Sequence, residues 1–326
     1  MHAAPEIEIL DGRGLEGIAA EWAALWRRCP DATPFQAPEW LLPWARRYAP
    51  GRSGAAALLC GGRLEGLAPV FTWRGAMMLA GTGPSDHGDW LLAPGAEARA
   101  DPLLAALPEV RCGAFERIEL RQLSARSALL GAATPAGWAE ERGADEPCLV
   151  APLIGGDGLG AASTKCRANW RYAMRRIGRE GGAVERVPAA EVATGMAELA
   201  RLHALRWRAR GEEGVLSDPL LEGFLREAAA ELAGSGLLRL YRVRIAAKTV
   251  AVLLAFAGHG VHHYYLSGFD PDQGGSSPSA VLVGFAMSEA VREGAAAFDL
   301  LRGTEPYKYR WGAEEQATHR RTLIRA

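Results

Sequence analysis

Cysteine is scarce in this 326-residue chain. The five residues, Cys29, Cys60, Cys112, Cys148 and Cys166, are odd in number, widely spaced and without a C-x-x-C pair. That pattern argues against a disulfide framework or a zinc knuckle and fits a reducing compartment. Long apolar runs are also missing. The longest, Val250 to Ala257, falls far short of the roughly 20 residues a membrane-spanning helix needs. Neither sign of charge dominates: 37 Lys and Arg face 38 Asp and Glu, leaving a net charge of −1. No global field therefore draws the chain to nucleic acid or to anionic lipid. Met1 is followed by Glu6, Glu8 and Asp11, not by the basic and apolar regions of a signal peptide. These absences predict a cytoplasmic protein with no nucleic-acid partner and no membrane insertion.

What is present is apolar material for two packed cores. The length suits two domains. The stretch Gly155-Gly156-Asp157-Gly158-Leu159-Gly160 reads as a flexible joint, so the expected domains are 1–155 and 156–326.

The second half has the clearer pattern. Ser163 to Ile177 is helix-like, with Cys166, Trp170, Ala173 and Ile177 on one face. A short strand, Val184 to Val187, and a helix, Glu191 to Arg210, follow, with Gly211 as the stop. Asp218-Pro219 is a strong helix start, because Asp caps and Pro suits the first helical position. Three strands come next, Leu237 to Val243, Thr249 to Phe256 and Val261 to Phe269, joined by short turns that predict antiparallel pairing. A Gly/Ser/Pro loop leads to a helix over Ser279 to Glu293, a strand at Phe298 to Leu301, and a last strand at Thr318 to Arg325. The first half repeats this order more weakly. The order is neither alternating βαβ nor all-β. It predicts a mixed α/β fold in each half, a mainly antiparallel sheet flanked by helices.

Several segments can carry chemistry. The loop from Asp270 to Ala280 leaves a strand and opens a helix, where free N–H groups and the helix dipole suit a phosphate; an ordinary strand-to-helix turn reads the same way. The run Phe298 to Gly312 packs Asp299, Arg302, Glu305, Tyr307, Lys308 and Arg310 behind an apolar strand. There a Tyr or Lys can protonate a leaving thiolate, and a carboxylate can accept a proton; a salt-bridged surface loop is the plainer reading. Lys165, Arg167, Arg171, Arg175, Arg176 and Arg179 form a basic stretch that suits an anion or a solvated face. Gly83 to Trp90 carries Asp86, His87 and Asp89, either a base with its partner or a polar turn. His259, His262 and His263 lie around a hairpin with no Cys or carboxylate near in sequence, so no metal site is expected. Gly156 to Ala161 contains G-x-G-x-x-A, but antiparallel hairpins follow rather than a second βαβ unit, which argues against dinucleotide binding.

Taken together, these residues resemble the GNAT acyltransferase superfamily, and more closely the CelD-type acetyltransferases associated with cellulose and exopolysaccharide synthesis, which are related to Fem-type transferases with two GNAT domains. The resemblance is carried by Arg206-Trp207 with Gly211, by Tyr264 to Asp270, by Pro278, and above all by Phe298 to Gly303 followed by Tyr307-Lys308. In the first half Phe35-Gln36, Trp40, Leu67 to Pro69 and Asp86 to Leu91 fit. The phosphate loop departs from the superfamily pattern: Gln273 begins it, but Ser276 and Pro278 stand at the glycine positions.

The resemblance implies two tandem GNAT-like domains and an acyl-CoA co-substrate, acetyl-CoA or longer, without a metal. It implies donor contacts at Leu266, Ser267, Gly268, Gly275, Ser276, Ser277, Ser279 and Ala280, and transfer to an amine or hydroxyl acceptor such as a saccharide or cell-envelope precursor. Asp299 is the expected base or orienting group, and Tyr307 or Lys308 the acid. Asp86, His87, Arg206, Trp207 and Arg302 are expected to bind the acceptor. Two alternatives stand beside this: a degenerate GNAT pair that only binds its ligand, and a Fem-like aminoacyltransferase, which would call for a long helical hairpin that the second half lacks.

Overall fold

A computed structural model describes residues 5–273 and 277–326. The chain forms two compact units, Met1–Glu146 with Ala317–Ala326, and Pro147–Gln316. The first unit contains β1 (Glu6–Asp11), β2 (Ser53–Cys60), β3 (Arg63–Trp73), β4 (Ala76–Leu79), a two-residue β5 (Leu91–Leu92), β6 (Arg117–Ser124) and β7 (Trp138–Ala144). Its helices are α1 (Gly12–Gly17), α2 (Ala19–Arg28), α3 (Pro38–Tyr48), α4 (Ala100–Ala106) and α5 (Ala128–Gly131). The second unit contains β8 (Cys148–Pro152), β9 (Ala183–Arg186), β10 (Leu238–Ile245), β11 (Lys248–Gly258), β12 (Val261–Phe269), β13 (Ala297–Arg302) and β14 (Glu314–Gln316). It carries α6 (Thr164–Arg179), α7 (Val192–Arg208), α8 (Pro219–Gly234), α9 (Pro278–Arg292) and α10 (Pro306–Tyr309). The last strand, β15 (Thr318–Arg325), returns to the first sheet.

This division differs from the expected 155/156 boundary at both ends. β8 already pairs with β13 in the second sheet. β15 pairs antiparallel with both β6 and β7, giving the first sheet the order β1-β2-β3-β4-β6-β15-β7. The physical reason is visible at Arg321 on β15. Its fully buried guanidinium donates to the carbonyl of Leu129 and to Thr134 Oγ1, and lies 3.1 Å from Glu140 Oε2. A buried cation needs such a set of partners, and all three lie in the first unit. On one face of this sheet, Leu103, Leu104 and Leu107 pack against Leu58, Val70, Ile118 and Leu120. Elsewhere in the unit, the buried indoles of Trp22 and Trp40 reach partners at Gln36 O and Ser85 Oγ.

The second sheet runs β14-β8-β13-β12-β11-β10-β9. All its pairs are antiparallel except β12 with β13. Helices α6 and α9 share one core with this sheet, through Ala173, Ile177, Val281, Ala286, Leu253 and Phe298. Gly284 makes the helix pairing possible, since a Cβ there would stand 2.4 Å from Trp170 Nε1. Helix α7 lies against β11 and β12. Local signals set the helix ends: Ser163 Oγ accepts from Cys166 N–H, and Asp218 Oδ1 accepts from Leu220 N–H just ahead of Pro219. Among the described residues, no helix is long and apolar enough to cross a membrane.

Candidate active site

The site of the second unit begins where two parallel strands part. β12 and β13 pair only from Val261↔Ala297 to His263↔Asp299. Beyond that point each strand bends for its own reason. On β12, an extra residue, Tyr265, shifts the register with β11 between Leu254 and Ala255. On β13, Leu301 adopts a left-handed φ of 62°. Its N–H is taken by Asp299 Oδ1 at 2.7 Å, which supports a conformation that a branched residue rarely adopts. Asp299 is buried, and its other oxygen lies 3.3 Å from His263 Nδ1 across the last rung of the ladder.

After this bend, α10 sends adjacent residues in different directions. Lys308 is buried, and its Nζ donates to the carbonyl oxygens of Leu301, Arg302 and Gly303 and lies 2.9 Å from Glu305 Oε2. Three protons facing four oxygens make Lys308 an anchor for the end of β13. The Arg302 side chain takes no part in the groove described next, although its carbonyl is one of the anchored oxygens.

Tyr307 lines a groove of about 920 Å³. Its hydroxyl neighbours that of Tyr264 on β12, which in turn lies 2.7 Å from Ser267 Oγ. Burial pushes both phenols above the ordinary tyrosine value. For Tyr307 the neighbouring Tyr264 and Glu305 add to the rise, while Arg206 opposes it. Both hydroxyls therefore stay protonated at neutral pH and can act as donors.

At its α9 end the groove is lined by Ser277, Pro278, Ser279 and Ala280. Ser277 is left-handed and makes no side-chain cap. The N–H groups of Ser279 and Ala280 fall in the first turn of the helix, where no intrahelical acceptor exists and the dipole favours an anion. Lys165, Arg206, Arg210 and Arg310 also line the groove, and among the described residues no Asp or Glu does. Among the described residues, none of these four cations has a side-chain hydrogen bond or an ion pair. Arg206 lies with its guanidinium 5.1 Å from the Phe269 ring and 5.6 Å from that of Trp207.

The expected site residues thus separate. Tyr307, Arg206, Ser277, Ser279 and Ala280 share the groove. Ser267 contributes from beneath it through Tyr264. Gly268 serves packing: a Cβ there would stand 2.4 Å from His203 N on α7. Leu266 sits one residue before this pair on β12, outside the groove lining, and Trp207 packs between His203 and the guanidiniums of Arg206 and Arg210. Gly275 and Ser276 lie outside the described residues. Asp86 and His87 belong to the first unit, where the His87 carbonyl accepts from Gln36 Nε2 at 2.9 Å and its ring lies 6.1 Å from Phe35. In that unit the ladder between β4 and β6 also ends early, at Met78↔Glu119. There the chain closes the gap itself, with Gly88 N–H donating to the Gln122 carbonyl. Sequence reasoning placed Lys165 in a basic stretch suited to an anion, Arg310 in the polar run after the β13 strand and Tyr264 at the start of the stretch that carries the resemblance, but gave no role to Arg210. The i, i+4 spacing of Arg206 and Arg210 is the one available signal.

Residues 164–309 match the family model of an acetyltransferase (GNAT) domain. No curated protein matches the chain in sequence. Solved structures match its shape. FemX is similar over 93% of this chain and 95% of its own, at 12% identity and a TM-score of 0.70. A conserved protein of unknown function from Bacteroides thetaiotaomicron is similar over 98% of this chain and 100% of its own, at 13% identity and a TM-score of 0.63. A tandem GNAT protein from the clavulanic acid biosynthesis pathway is similar over 98% of this chain and 99% of its own, at 14% identity and a TM-score of 0.50. The fold is therefore that of two tandem GNAT-like units, and residues 164–309 of the second carry the match to the GNAT-domain model.

Proposed function

We propose that the second unit transfers an acyl group, acetyl or longer, from acyl-CoA to an amine or hydroxyl on a small acceptor such as a saccharide or cell-envelope precursor. One observation carries this reading: a single groove joins a protonated tyrosine pair to four unpaired cations and the open first turn of α9. The cations and the helix start suit a diphosphate. The tyrosines suit a leaving sulfur. Use of acyl-CoA agrees with work in the cytoplasm.

Bound acyl-CoA would supply the thioester carbon that the acceptor attacks. On the side where β13 has parted from it, β12 has no strand partner beyond His263, so its N–H groups there are available to the carbonyl oxygen. Tyr307 gives its proton to the sulfur as the carbon–sulfur bond breaks. Tyr264 and Ser267 hold the Tyr307 hydroxyl in line, and the proton the acceptor loses restores the phenol through solvent. Asp299 and Lys308 act at one remove, by fixing the bend and the anchor that present Tyr307.

Isothermal titration with acetyl-CoA and longer acyl-CoAs, followed by a thiol-release assay over a panel of amino sugars, tests this. Saturable heat and acceptor-dependent thiol release are expected. No heat across the whole donor series would leave a binding module for some other ligand as the reading.

A further inference from the structure

We infer that the groove recognises a second phosphate centre on the donor, the 3′-phosphomonoester of its nucleotide, through Lys165 and Arg310. This rests on the donor assignment above and goes further, because it states which end of the donor selects it.

The four groove cations come from α6, from the end of α7 and from the residue after α10. Arg206 and Arg210 lie four residues apart at the end of α7, and Arg206 is near enough to Tyr264 and Tyr307 to oppose the rise that burial gives their hydroxyls. Lys165 is in the first turn of α6. Arg310 directly follows α10 and is tied to the start of α6, for its carbonyl accepts from Ser163 N–H at 3.0 Å. Its guanidinium also lowers the Cys166 thiol, against the larger upward push of burial. Lys165 and Arg310 therefore both belong to the head of α6, where the Arg310 backbone also continues the α10 turn, its N–H donating to the Tyr307 carbonyl at 3.2 Å.

Elsewhere in the same unit, arginines that approach the protein interior are paired. Arg239 meets Glu293, and Arg242 meets both Glu185 and Glu191. Acids are as plentiful as bases in this chain, yet among the described residues none lines the groove. Four like charges gathered around one cavity repel each other, so the arrangement raises the energy of the empty protein and is relieved by an anion of matching charge. A diphosphate carries one charge per phosphorus. The amides of Ser279 and Ala280 together with the α7 pair are enough for it. A phosphomonoester adds about −1.5 to −2 at neutral pH, which matches the remaining pair. A donor without that group would leave Lys165 and Arg310 uncompensated. Both side chains are exposed, so they can meet a phosphate at the rim without rearranging the core.

The test compares acetyl-CoA with 3′-dephospho-acetyl-CoA by titration calorimetry, on the whole chain and on the double variant Lys165→Met/Arg310→Met. Wild type is expected to bind acetyl-CoA about tenfold tighter than the dephospho compound, the size of one or two charge-assisted contacts. The double variant should lose about that factor for acetyl-CoA while changing by less than about twofold for the dephospho compound. Its thermal unfolding should be unaltered, since neither side chain is buried. Equal binding of the two compounds by wild type overturns the inference and leaves the donor assignment intact. So does a double variant that weakens both compounds alike. A protein that binds neither compound overturns both together.

Discussion

Lys308 Nζ lies 3.1 Å from the carbonyl oxygens of both Leu301 and Gly303, so one buried side chain clamps the bend that parts β13 from β12. Removing the donor strands these carbonyls where water is scarce. Lys308→Met, which keeps the packing volume, is expected to lower the unfolding free energy by about 3 kcal/mol and to reduce turnover with it. Glu305→Gln, at a half-exposed carboxylate, should cost less than about 1 kcal/mol. Urea unfolding of the two variants checks the contrast. A Lys308→Met protein as stable as wild type would dissolve the clamp.

Tyr307→Phe removes one hydroxyl and little else. If Tyr307 is the acid, kcat should fall by about 10²–10³ while KM for the acyl donor changes by less than about twofold. Stability should drop by only about 1 kcal/mol, for the lost contact with Tyr264. Steady-state kinetics alongside a thermal melt separates these effects. Turnover that survives the substitution would hand proton donation to another group.

Two glycines of the second unit should respond in opposite ways. At Gly268 an added methyl would meet the α7 backbone, with His203 N at 2.4 Å and Leu202 C at 2.8 Å. Gly268→Ala is expected to destabilise by about 2–3 kcal/mol by forcing helix and strand apart. At Gly178, inside α6, a methyl would meet nothing within 4 Å. Gly178→Ala should therefore stabilise by about 0.5–1 kcal/mol, from helix propensity alone. Chemical denaturation of both variants gives the sign directly.

Burial raises the Asp89 carboxyl from 3.8 to about 7, with the Ser127 hydroxyl and the Trp90 N–H pulling the other way. The native state therefore keeps a proton that the unfolded chain gives up at lower pH. The resulting stability is full below about pH 4 and is lost as pH rises toward 7. Asp89→Asn should change stability little at pH 4 and should gain on wild type as pH climbs to 8. Unfolding curves at pH 4, 6 and 8 test this, and a difference that does not move with pH would contradict it.

The parts of this molecule that were legible in its sequence are those whose cause is local. Asp218-Pro219 announces α8 because cap and first residue lie side by side, and the hairpins of β10, β11 and β12 follow from apolar alternation between short turns. β7, with its Glu-Glu-Arg-Gly stretch, and the exposed three-residue β14 carry no such pattern. Their partners are supplied by distant strands. At the site, Tyr307 could be read as a candidate, but the opposite direction of Lys308 depends on where three carbonyls lie. Arg210 looks like any surface cation, and Lys165 and Arg310 like members of larger polar stretches, until the tertiary fold shows which cations found acids and which did not. Gly268 invites a ligand reading in the sequence, and the close approach of α7 to it shows only in the fold.

Because β15 lies between β6 and β7, a ribosome that has released residues 1–146 has delivered a sheet without its penultimate strand. Roughly 170 residues must still be translated before β15 emerges, on the order of ten to thirty seconds at ordinary elongation rates. During that interval β6 offers a bare edge to any passing strand, while the nascent second unit can already collapse on its own core. The later-made unit is thus positioned to finish first, and trigger factors or holdases that shield β6 would govern how much chain reaches the native state.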